Sequence, residues 1–563
     1  MLRLFRLQVT GMESKLLDFS KSLQICKALE SLVSRGFGPQ GLQTLMCTST
    51  GQVLMSNNGA TIFNALHIGH PVGRLVVDAV NQMTQYTGDG SKVFIIMLTD
   101  MLQQIDLRYS ERERGELIRG ITHFNQHLFP RLQQHVLKHS RTCNLSSDKK
   151  AFCESIEGVL RGVISPHYSA RVVESLTRVV MSSLNFDLSP SLFLEQISIM
   201  TQNFSQLAIK NIGSSISDSA TVDSYIIQRD FVTNFEMCSM DCVKFVVLMC
   251  SIEGHINSED GESIYLSTND SLGNFMKYQR ERAEKFASLC NEQDITLVIS
   301  SMGIPKYCLQ VLSSQKISVI HYVEEEDVEF LSQMCQKSMI SEFPITKFME
   351  KEIFLASSCK RVIMNGRLCV QVIPSGEQLA PFTKTLLLTA PTDGLCAQLY
   401  TVIHKAIKAV YLSLNPPCLL KTTEDSENCT SFTLPGGASF ELLCRAFLVK
   451  ISRNKIHNKD MQMAEILERA FLTVTRILYR NVSETTMNET HNFLVKLSYI
   501  QNETDSSTDS FKCFGFDRRG TVKDMEKEGV LESLNVKFHV VSCVLNLLST
   551  ILKTNGIIGI KNA

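Results

Sequence analysis

Runs of apolar residues with the length and composition of buried β-strands are concentrated in the middle of this chain. They alternate with stretches patterned as helices, which is typical of an α/β domain. The strand-like runs are Lys244–Ser251, Asp294–Ser301, Ile317–Val323 and Arg367–Pro374, and the helical stretches are Met276–Asn291 and Val328–Cys335. The polar segment Gly254–Asn274 falls between the first two runs, so we expect it to protrude from the domain.

The segments on either side of this middle region are patterned as helices. Apolar residues recur at helical spacing in Ile25–Val33, Pro71–Met83, Val93–Leu102, Met461–Arg480 and Phe538–Leu552. The third of these stretches is almost wholly apolar, and we therefore expect a helix buried on all sides. The order helical, α/β, helical predicts one domain inserted into another, and a length of 563 residues predicts about three or four domains.

The charge balance of the chain excludes some classes of partner. Lys and Arg number 56 and Asp and Glu 57, and the resulting net charge of −1 argues against nucleic acid or an anionic membrane as the main partner. The 18 cysteines include no C-x-x-C pair, so we expect reduced thiols in a cytosolic protein rather than a zinc site. We find no apolar run near the roughly 18 residues of a membrane span, and expect a soluble protein without membrane insertion.

The stretch TGDGSK, Thr87–Lys92, is the first candidate for function. Glycines on both sides of Asp89 would let backbone N–H groups approach an anion, and the helix that follows adds positive potential at its start. Asp89 could hold a hard cation such as Mg²⁺. The alternative is an ordinary Asp-Gly turn that caps the helix. Lys92 is bulky at a position where such a site would favour a small hydroxyl.

The stretch GFGPQG, Gly36–Gly41, fits the dinucleotide pattern G-x-G-x-x-G but lacks its context. A Rossmann fingerprint follows a strand and opens a helix, whereas this stretch follows a helical pattern and contains Pro39. We expect a plain loop or a phosphate-facing loop of another fold. A Walker A loop is excluded because the sequence contains no G-K-S or G-K-T tripeptide.

Four stretches occur in the order and spacing of the nucleotide-pocket motifs of the group II chaperonins, the family of the thermosome and the eukaryotic cytosolic chaperonin. They are SNNGATIF (Ser56–Phe63), TGDGSK, LPGGASFE (Leu434–Glu441) and GVLESLNVK (Gly529–Lys537). The stretch GFGPQG also resembles the family's GPKG loop. The resemblance runs nearly end to end, so it bears on the fold of the whole chain.

This resemblance implies an α+β multidomain chaperonin fold. A mainly helical equatorial domain would comprise residues 1–135 and 411–563. A small intermediate domain would comprise residues 136–212 and 375–410. The inserted α/β apical domain, which would face clients or partners, would comprise residues 213–374.

The resemblance also implies which residues would bind ATP. The candidates are Gly38, Pro39, Gly88, Asp89, Gly90, Ser91, Lys92, Gly436, Gly437 and Glu532. Asp89 would be the ligand of the Mg²⁺ ion that accompanies ATP. Glu532 matches a position that contacts the ribose or base of the nucleotide.

The chain departs from the family at the carboxylates that serve the γ-phosphate. Of three such aspartates, one matches Asp89, the second is Asn58 here, and the place of the third is taken by Lys405. A lysine is normally protonated and cannot orient and deprotonate the attacking water. We therefore expect ATP hydrolysis to be lost, with no catalytic residue, while binding of ATP and Mg²⁺ stays open. Lys92 replaces a threonine and could pair with a phosphate or fill the pocket.

Within the family, the Asn58 change and the Lys92 box are most similar to the chaperonin-like Bardet-Biedl syndrome proteins, which are linked to cilia. That similarity implies an assembly factor with BBSome subunits as clients. Its partners would be the other chaperonin-like Bardet-Biedl proteins and subunits of the cytosolic chaperonin, in the cytoplasm, at the ciliary base or at the centrosome. An ATP-hydrolysing group II chaperonin subunit is the alternative. A metabolic enzyme on this scaffold would need a nucleophile–base pair, which we do not find. Ring, monomer and mixed complex stay open.

Overall fold

The structure is a computed structural model that describes residues 13–16, 18–47, 51, 53–110, 113–233, 239–252, 269–343, 345–375, 384–415, 429–453, 458–482, 489–506 and 513–559. The chain divides into two compact units. The terminal unit consists of Met1–Thr177, Ser189–Leu194 and Thr401–Ala563, and the inserted unit of Arg178–Leu188 and Glu195–Tyr400. The chain thus leaves the terminal unit and returns to it. The boundaries of separate equatorial, intermediate and apical domains stay predictions.

Helices occur in both units. They are α1 (Phe19–Val33), α2 (Gly59–Asn64), α3 (Pro71–Thr87), α4 (Ser91–Arg108), α5 (Arg114–His123), α6 (Phe129–Lys138), α7 (Lys149–Ile164), α8 (Ala170–Ser183), α9 (Pro190–Gln202), α10 (Phe204–Leu207), α11 (Asn269–Glu292), α12 (Lys306–Ser314), α13 (Glu325–Cys335), α14 (Asp393–Leu414), α15 (Ser439–Arg453), α16 (Asn458–Val482), α17 (Glu489–Ser506) and α18 (Leu534–Lys553). A π-helical turn, Phe124–Leu128, lies between α5 and α6.

Strands also occur in both units. They are β1 (Glu13–Leu16), β2 (Thr44–Cys47), β3 (Val53–Ser56), β4 (Arg141–Asn144), β5 (Ala208–Ile212), β6 (Ala220–Val222), β7 (Tyr225–Ile227), β8 (Ser239–Leu248), β9 (Leu297–Ser300), β10 (Ser318–Ile320), β11 (Phe354–Met364), β12 (Arg367–Pro374), β13 (Thr385–Ala390), β14 (Thr430–Pro435), β15 (Phe514–Phe516), β16 (Val522–Asp524), β17 (Leu531–Ser533) and β18 (Gly556–Gly559). The longest strands of the described residues, β8, β11 and β12, lie in the inserted unit.

The inserted unit contains the largest sheet of the described residues, with the strand order β10-β9-β8-β11-β12-β7. Strands β10, β9 and β8 are parallel, and β11, β12 and β7 continue the sheet in antiparallel pairs. A second sheet in this unit has the order β5-β13-β6. The terminal unit contains the sheet β17-β14-β4 and the two-stranded sheets β1-β18, β2-β3 and β15-β16.

The four strand-like runs of the sequence are β8, β9, β10 and β12, and the helical stretches between them are α11 and α13. These predictions are confirmed, since β9 and β10 are buried along their whole length, as short continuous apolar runs predict. The sequence analysis did not identify β7 or β11, which complete the antiparallel half of the sheet. Residues 254–268 of the predicted protrusion lie outside the described residues, and α11 begins at Asn269.

The first part of α4, from Ser91 to Leu102, is buried on every side within the terminal unit. Its residues from Phe94 to Leu98 are consecutive and each is 0% exposed. Because one helical turn takes about 3.6 residues, a buried run of this length leaves no solvent-facing side. The helix packs against α1, α3, α16 and α18. The predicted buried helix is confirmed, and its packing fixes the position of the α4 N-terminus at Ser91.

The helix α18 is long and apolar enough to pass a test for membrane spans based on length and composition. The expectation that no stretch of this chain would approach that limit is therefore wrong. The buried side chains of α18, such as Phe538, Val544 and Leu548, belong to the core of the terminal unit. We interpret α18 as a core helix because it packs against α3, α4 and α5.

The helix α7 approaches β17 closely through two glycines that lie one turn apart. A Cβ atom added to Gly162 would lie 2.3 Å from the backbone oxygen of Leu531, and one added to Gly158 would lie 2.8 Å from the Leu531 side chain. The first of these contacts cannot be relieved by a side-chain rotation, because it involves the backbone. The absence of a side chain at Gly162 therefore sets the position of β17.

We expect the substitution Gly162→Ala to destabilise the terminal unit by about 1–3 kcal/mol, the usual cost of overpacking. In an open helical site the same change is favourable by up to about 1 kcal/mol. The control is Gly115→Ala in α5, where an added Cβ meets no atom within 4 Å. Urea unfolding followed by circular dichroism measures both variants. Equal effects of the two substitutions would contradict the close approach of α7 to β17.

Candidate functional site

A cavity of about 960 Å³ lies within the terminal unit. Its volume suits a small-molecule site, since such sites occupy roughly 300–1,000 Å³. The sequence-predicted positions that line it are Gly38, Pro39, Asn58, Asp89, Gly90, Ser91, Lys92, Lys405, Gly437 and Glu532. Gly88 and Gly436 are not lining residues, but each precedes one in sequence. The structure therefore brings the four motifs to one cavity, although their roles in binding stay predictions.

A tight turn between α3 and α4 holds Asp89 at the cavity. Gly88 has a φ of 74° and Gly90 a φ of 98°. Residues other than glycine rarely adopt this left-handed conformation. A Cβ on Gly90 would also lie 2.5 Å from a methyl carbon of Val540. The Thr87 hydroxyl donates a hydrogen bond to the Asp89 carbonyl oxygen at 2.6 Å. Since Gly90 has no capping side chain, the first N–H groups of α4 remain available beside Asp89.

Asp89 shares the cavity with two lysines, Lys405 and Lys92. The Asp89 side chain is accessible to solvent, but it lines the cavity and is surrounded by the residues of the cavity wall. Burial raises the pKa of the Asp89 carboxyl, but Lys405, the Gly90 N–H and Lys92 together hold this pKa below its ordinary value. Asp89 is therefore ionised near pH 7. Burial lowers the pKa of Lys405, and the neighbouring charge of Asp89 opposes that shift.

Lys92 ties α4 to the loop of the GFGPQG motif. Its Nζ donates hydrogen bonds to the backbone oxygen of Gly36 at 2.6 Å and to Oδ1 of Asn57. Burial lowers the pKa of Lys92 to about 8, although Asp89 acts in the opposite direction. The Lys92 ammonium group thus connects α4 to this loop at the cavity wall, and the two roles left open by the sequence, pairing with a phosphate or filling the pocket, stay predictions. The loop itself follows a short helical turn and precedes β2, so it lacks the Rossmann context, as expected.

The two positions where the chain departs from the family carry no carboxylate in the cavity. The Asn58 side chain donates a hydrogen bond to Thr61 Oγ1 at 3.0 Å, at the start of α2. His167, which the sequence analysis did not identify, lines the same cavity. Burial, together with Lys405 and Lys92, lowers the pKa of His167 to about 4, so the imidazole is neutral near pH 7.

The donor set around Asp89 does not fit a Mg²⁺ ion. The described residues contain no group of three or more His, Cys, Asp or Glu side chains that could hold a metal. Mg²⁺ prefers oxygen ligands in octahedral geometry, whereas the charged neighbours of Asp89 are the ammonium groups of Lys405 and Lys92. We therefore derive no role for the metal from this structure.

A second charged cluster in the cavity consists of Glu441, Glu532 and Lys537, and we call it the carboxylate cluster. Lys537 Nζ lies 3.0 Å from Glu441 Oε1 and 2.8 Å from Glu532 Oε2. Burial opposes protonation of Lys537, but the two carboxylates raise its pKa well above the ordinary value. Burial also raises the pKa of Glu532, and Lys537 counteracts this rise. Lys537 is therefore a fixed cation between two acids.

The sequence analysis did not select Glu441 or Lys537 as site residues, although both lie in quoted motifs. Glu441 ends LPGGASFE and Lys537 ends GVLESLNVK. The glycine turn before Glu441 needs Gly437, which has a φ of 70° and whose added Cβ would lie 2.6 Å from the Phe516 backbone oxygen. The sequence feature that could have predicted the carboxylate cluster is the presence of opposite charges in two motifs that were expected to meet at one pocket.

We expect Lys537→Met to destabilise the terminal unit by about 3–5 kcal/mol, because removing the lysine leaves the buried carboxylates uncompensated. The loss should lie toward the lower end of this range, since Glu532 is partly exposed. Chemical denaturation measures this loss. Lys523→Met is the control, because Lys523 also contacts two carboxylates but is about half exposed, and we expect a much smaller effect.

The double variant Lys537→Met/Glu441→Gln separates charge from packing. It removes the more buried of the two uncompensated carboxylates, so it should recover part of the lost stability. A double variant no more stable than Lys537→Met alone would contradict the electrostatic explanation.

Comparisons with known proteins agree with this architecture. The profile of the TCP-1/cpn60 chaperonin family matches residues 29–562. BBSome complex assembly protein BBS10 of Homo sapiens is 24% identical over 417 residues, which are 69% of this chain and 56% of that protein. Thermosome subunit alpha of Archaeoglobus fulgidus is 19% identical over 559 residues, 98% of this chain and 93% of that protein.

The chain thus spans little more than half the length of its BBS10 relatives, including that of Pongo abelii, which is 23% identical over 416 residues, 69% of this chain and 56% of that protein. A solved structure, a group III chaperonin in the open state, superposes with a TM-score of 0.70 at 16% sequence identity and covers 96% of this chain and 98% of that one. This likeness confirms the predicted chaperonin fold. The chain belongs to the TCP-1/cpn60 chaperonin family.

Proposed function

We propose that this protein is a chaperonin-like assembly factor for the BBSome that binds a nucleotide without hydrolysing it. The observation that carries the proposal is that one cavity is lined by Asp89, Asn58 and Lys405. By the resemblance to the chaperonins, Asn58 and Lys405 take the places of two hydrolytic aspartates, and Asp89 matches the third. The similarity to BBS10, a BBSome complex assembly protein, supports the client class.

The chemistry of hydrolysis supports the loss of activity. Attack on a γ-phosphate requires a group that orients the water and accepts its proton. Asn58 is neutral, and its amide nitrogen already donates to Thr61. The charge of Lys405 helps to hold the pKa of the Asp89 carboxyl below its ordinary value, so Asp89 is a poor base.

The chemistry of binding supports a nucleotide as ligand. The uncapped start of α4 offers backbone N–H groups to an anion. Lys405 and Lys92 add positive charge at the same wall. Glu441 and Glu532 offer carboxylate acceptors for the hydroxyl or amino groups of a nucleoside. These features suit a ligand with an anionic part and a hydrogen-bond-donating part.

The proposed partners are the other chaperonin-like Bardet-Biedl proteins and subunits of the cytosolic chaperonin, with BBSome subunits as clients. We place the protein in the cytoplasm, at the ciliary base or at the centrosome. The inserted unit would contact clients. An ATP-hydrolysing chaperonin subunit is the second candidate, because the similarity to thermosome subunits extends over 98% of the chain.

A single-turnover ATPase assay distinguishes the two candidates. We expect no phosphate release above the rate in buffer when the purified protein is mixed with labelled ATP and Mg²⁺, because the water-activating carboxylates are missing. Magnesium-dependent release that Asp89→Ala abolishes would favour the active subunit. Asp106→Ala is the matched control, since it removes an exposed carboxylate from the far part of α4.

The assembly role is tested by native mass spectrometry of tagged protein from ciliated cells, with and without ATP. We expect complexes with BBSome subunits, chaperonin-like Bardet-Biedl proteins or cytosolic chaperonin subunits. A homo-oligomeric double ring without such partners would overturn the assembly-factor proposal. An untagged lysate processed in the same way controls for nonspecific capture.

A further inference from the structure

The charges of Asp89, Lys92 and Lys405, which we call the lysine cluster, do not cancel. One carboxylate lies beside two ammonium groups, and all three residues line the cavity. The neighbouring His167 is neutral near pH 7, since burial and the two lysines lower its pKa to about 4. This part of the cavity therefore carries an excess positive charge before any ligand binds.

Asp89 is shared between the two lysines. Lys92 donates its hydrogen bonds to Gly36 and Asn57, whose oxygens are neutral. Asp89 is the acid among the described residues whose charge acts on Lys405, and it also acts on Lys92. One carboxylate cannot compensate two buried ammonium groups, so a further anion would be bound favourably.

A divalent cation has the opposite preference at this position. It would have to approach two like charges, Lys405 and Lys92, whose field also acts on the one carboxylate that could attract it, Asp89. Asn58 offers a neutral amide, and its nitrogen donates to Thr61 Oγ1. The lysine cluster therefore repels Mg²⁺ and attracts phosphate oxygens.

We propose that this pocket binds its nucleotide as the free polyphosphate anion, with Lys405 and Lys92 supplying the positive charge that Mg²⁺ supplies in other nucleotide sites. This inference rests on the proposed nucleotide-binding function and specifies the form of the ligand. Lysine binds phosphate as a point charge, and the start of α4 adds N–H donors.

The carboxylate cluster sets the orientation of the ligand. Glu441 lines the cavity and is 2% exposed, and its Oε2 has no hydrogen-bond partner among the described residues. A buried oxygen without a donor is costly, and a hydroxyl or amino group of the nucleoside would satisfy it. The phosphates therefore lie at the lysine cluster and the nucleoside at the carboxylate cluster.

Isothermal titration calorimetry with ATP tests this inference on the whole chain. We expect the apparent dissociation constant to be at least about tenfold higher in excess Mg²⁺ than in EDTA, a difference of about 1.4 kcal/mol or more, because Mg²⁺ binds the free polyphosphate in competition with the pocket. AMP, which lacks two phosphates, should bind at least about tenfold more weakly, because charge-assisted hydrogen bonds to those phosphates are lost.

Two lysine variants in α14 locate the effect. Lys405→Met keeps most of the side-chain stem but removes the charge, and it should weaken binding in EDTA at least about tenfold. Lys408→Met is the matched control, because Lys408 Nζ donates to the Gln85 backbone oxygen at 2.7 Å and does not line the cavity. Lys405→Asp should make ATP binding depend on Mg²⁺. Thermal unfolding confirms that each variant is folded.

The outcomes separate this inference from the proposed function. Binding that is as tight or tighter in excess Mg²⁺ than in EDTA would overturn the magnesium-free form and leave nucleotide binding standing. No binding in either buffer would overturn both. Equal losses in Lys405→Met and Lys408→Met would overturn the role of Lys405.

Discussion

The turn that holds Asp89 between Gly88 and Gly90 is the constraint on which the pocket depends. Both glycines take positive φ angles, and α4 begins directly after them within the core of the terminal unit. Because the buried first part of α4 cannot shift without repacking its neighbours, core packing fixes the position of Asp89 without the help of a ligand. The charges of Lys92 and Lys405 therefore lie around a carboxylate whose position is set by the core.

The two charged clusters of the cavity differ in how far their charges are compensated. In the carboxylate cluster, one ammonium group lies within 3.0 Å of oxygens from both acids. A buried ion pair of this kind often adds little net stability compared with apolar residues of equal volume. Its effect is to fix the direction of three side chains. The lysine cluster instead retains an excess charge that the chain does not compensate, and excess buried charge is typical of sites that bind an oppositely charged ligand.

The sequence was sufficient to predict the elements whose signal is local. Apolar periodicity identified α3, α4, α16 and the parallel strands of the inserted unit. The burial of one or all faces of such an element determines the spacing of apolar residues within the element itself. The antiparallel strand β11 was missed because it carries a mixed pattern of burial, and β7 because it is only 3 residues long. The length and apolarity of α18 were also underestimated, and only its packing identifies it as a core helix.

The candidate site was predictable in its motifs but not in its pairings. Order and spacing of four motifs indicated which segments would converge, and they line one cavity. The partners of Lys92, which are Gly36 and Asn57, are separated from it by 56 and 35 residues. Glu441 and Lys537 are 96 residues apart. Such contacts depend on the tertiary arrangement, and no periodic pattern in one segment encodes them.

A pocket that binds without hydrolysing can act only through the free energy of binding. A ligand shifts a conformational equilibrium by the difference of its affinities for the two states, and it adds nothing if these affinities are equal. ATP hydrolysis would drive a repeated cycle of conformational changes in one direction. A ligand that stays bound only raises the population of the conformation that binds it more tightly. At a ligand concentration about 100 times its dissociation constant, that stabilisation is about 2.7 kcal/mol. In this chain, two lysines that share one carboxylate at the cavity wall would make the occupied form the more stable one. The nucleotide would then act as a structural ligand rather than as an energy source.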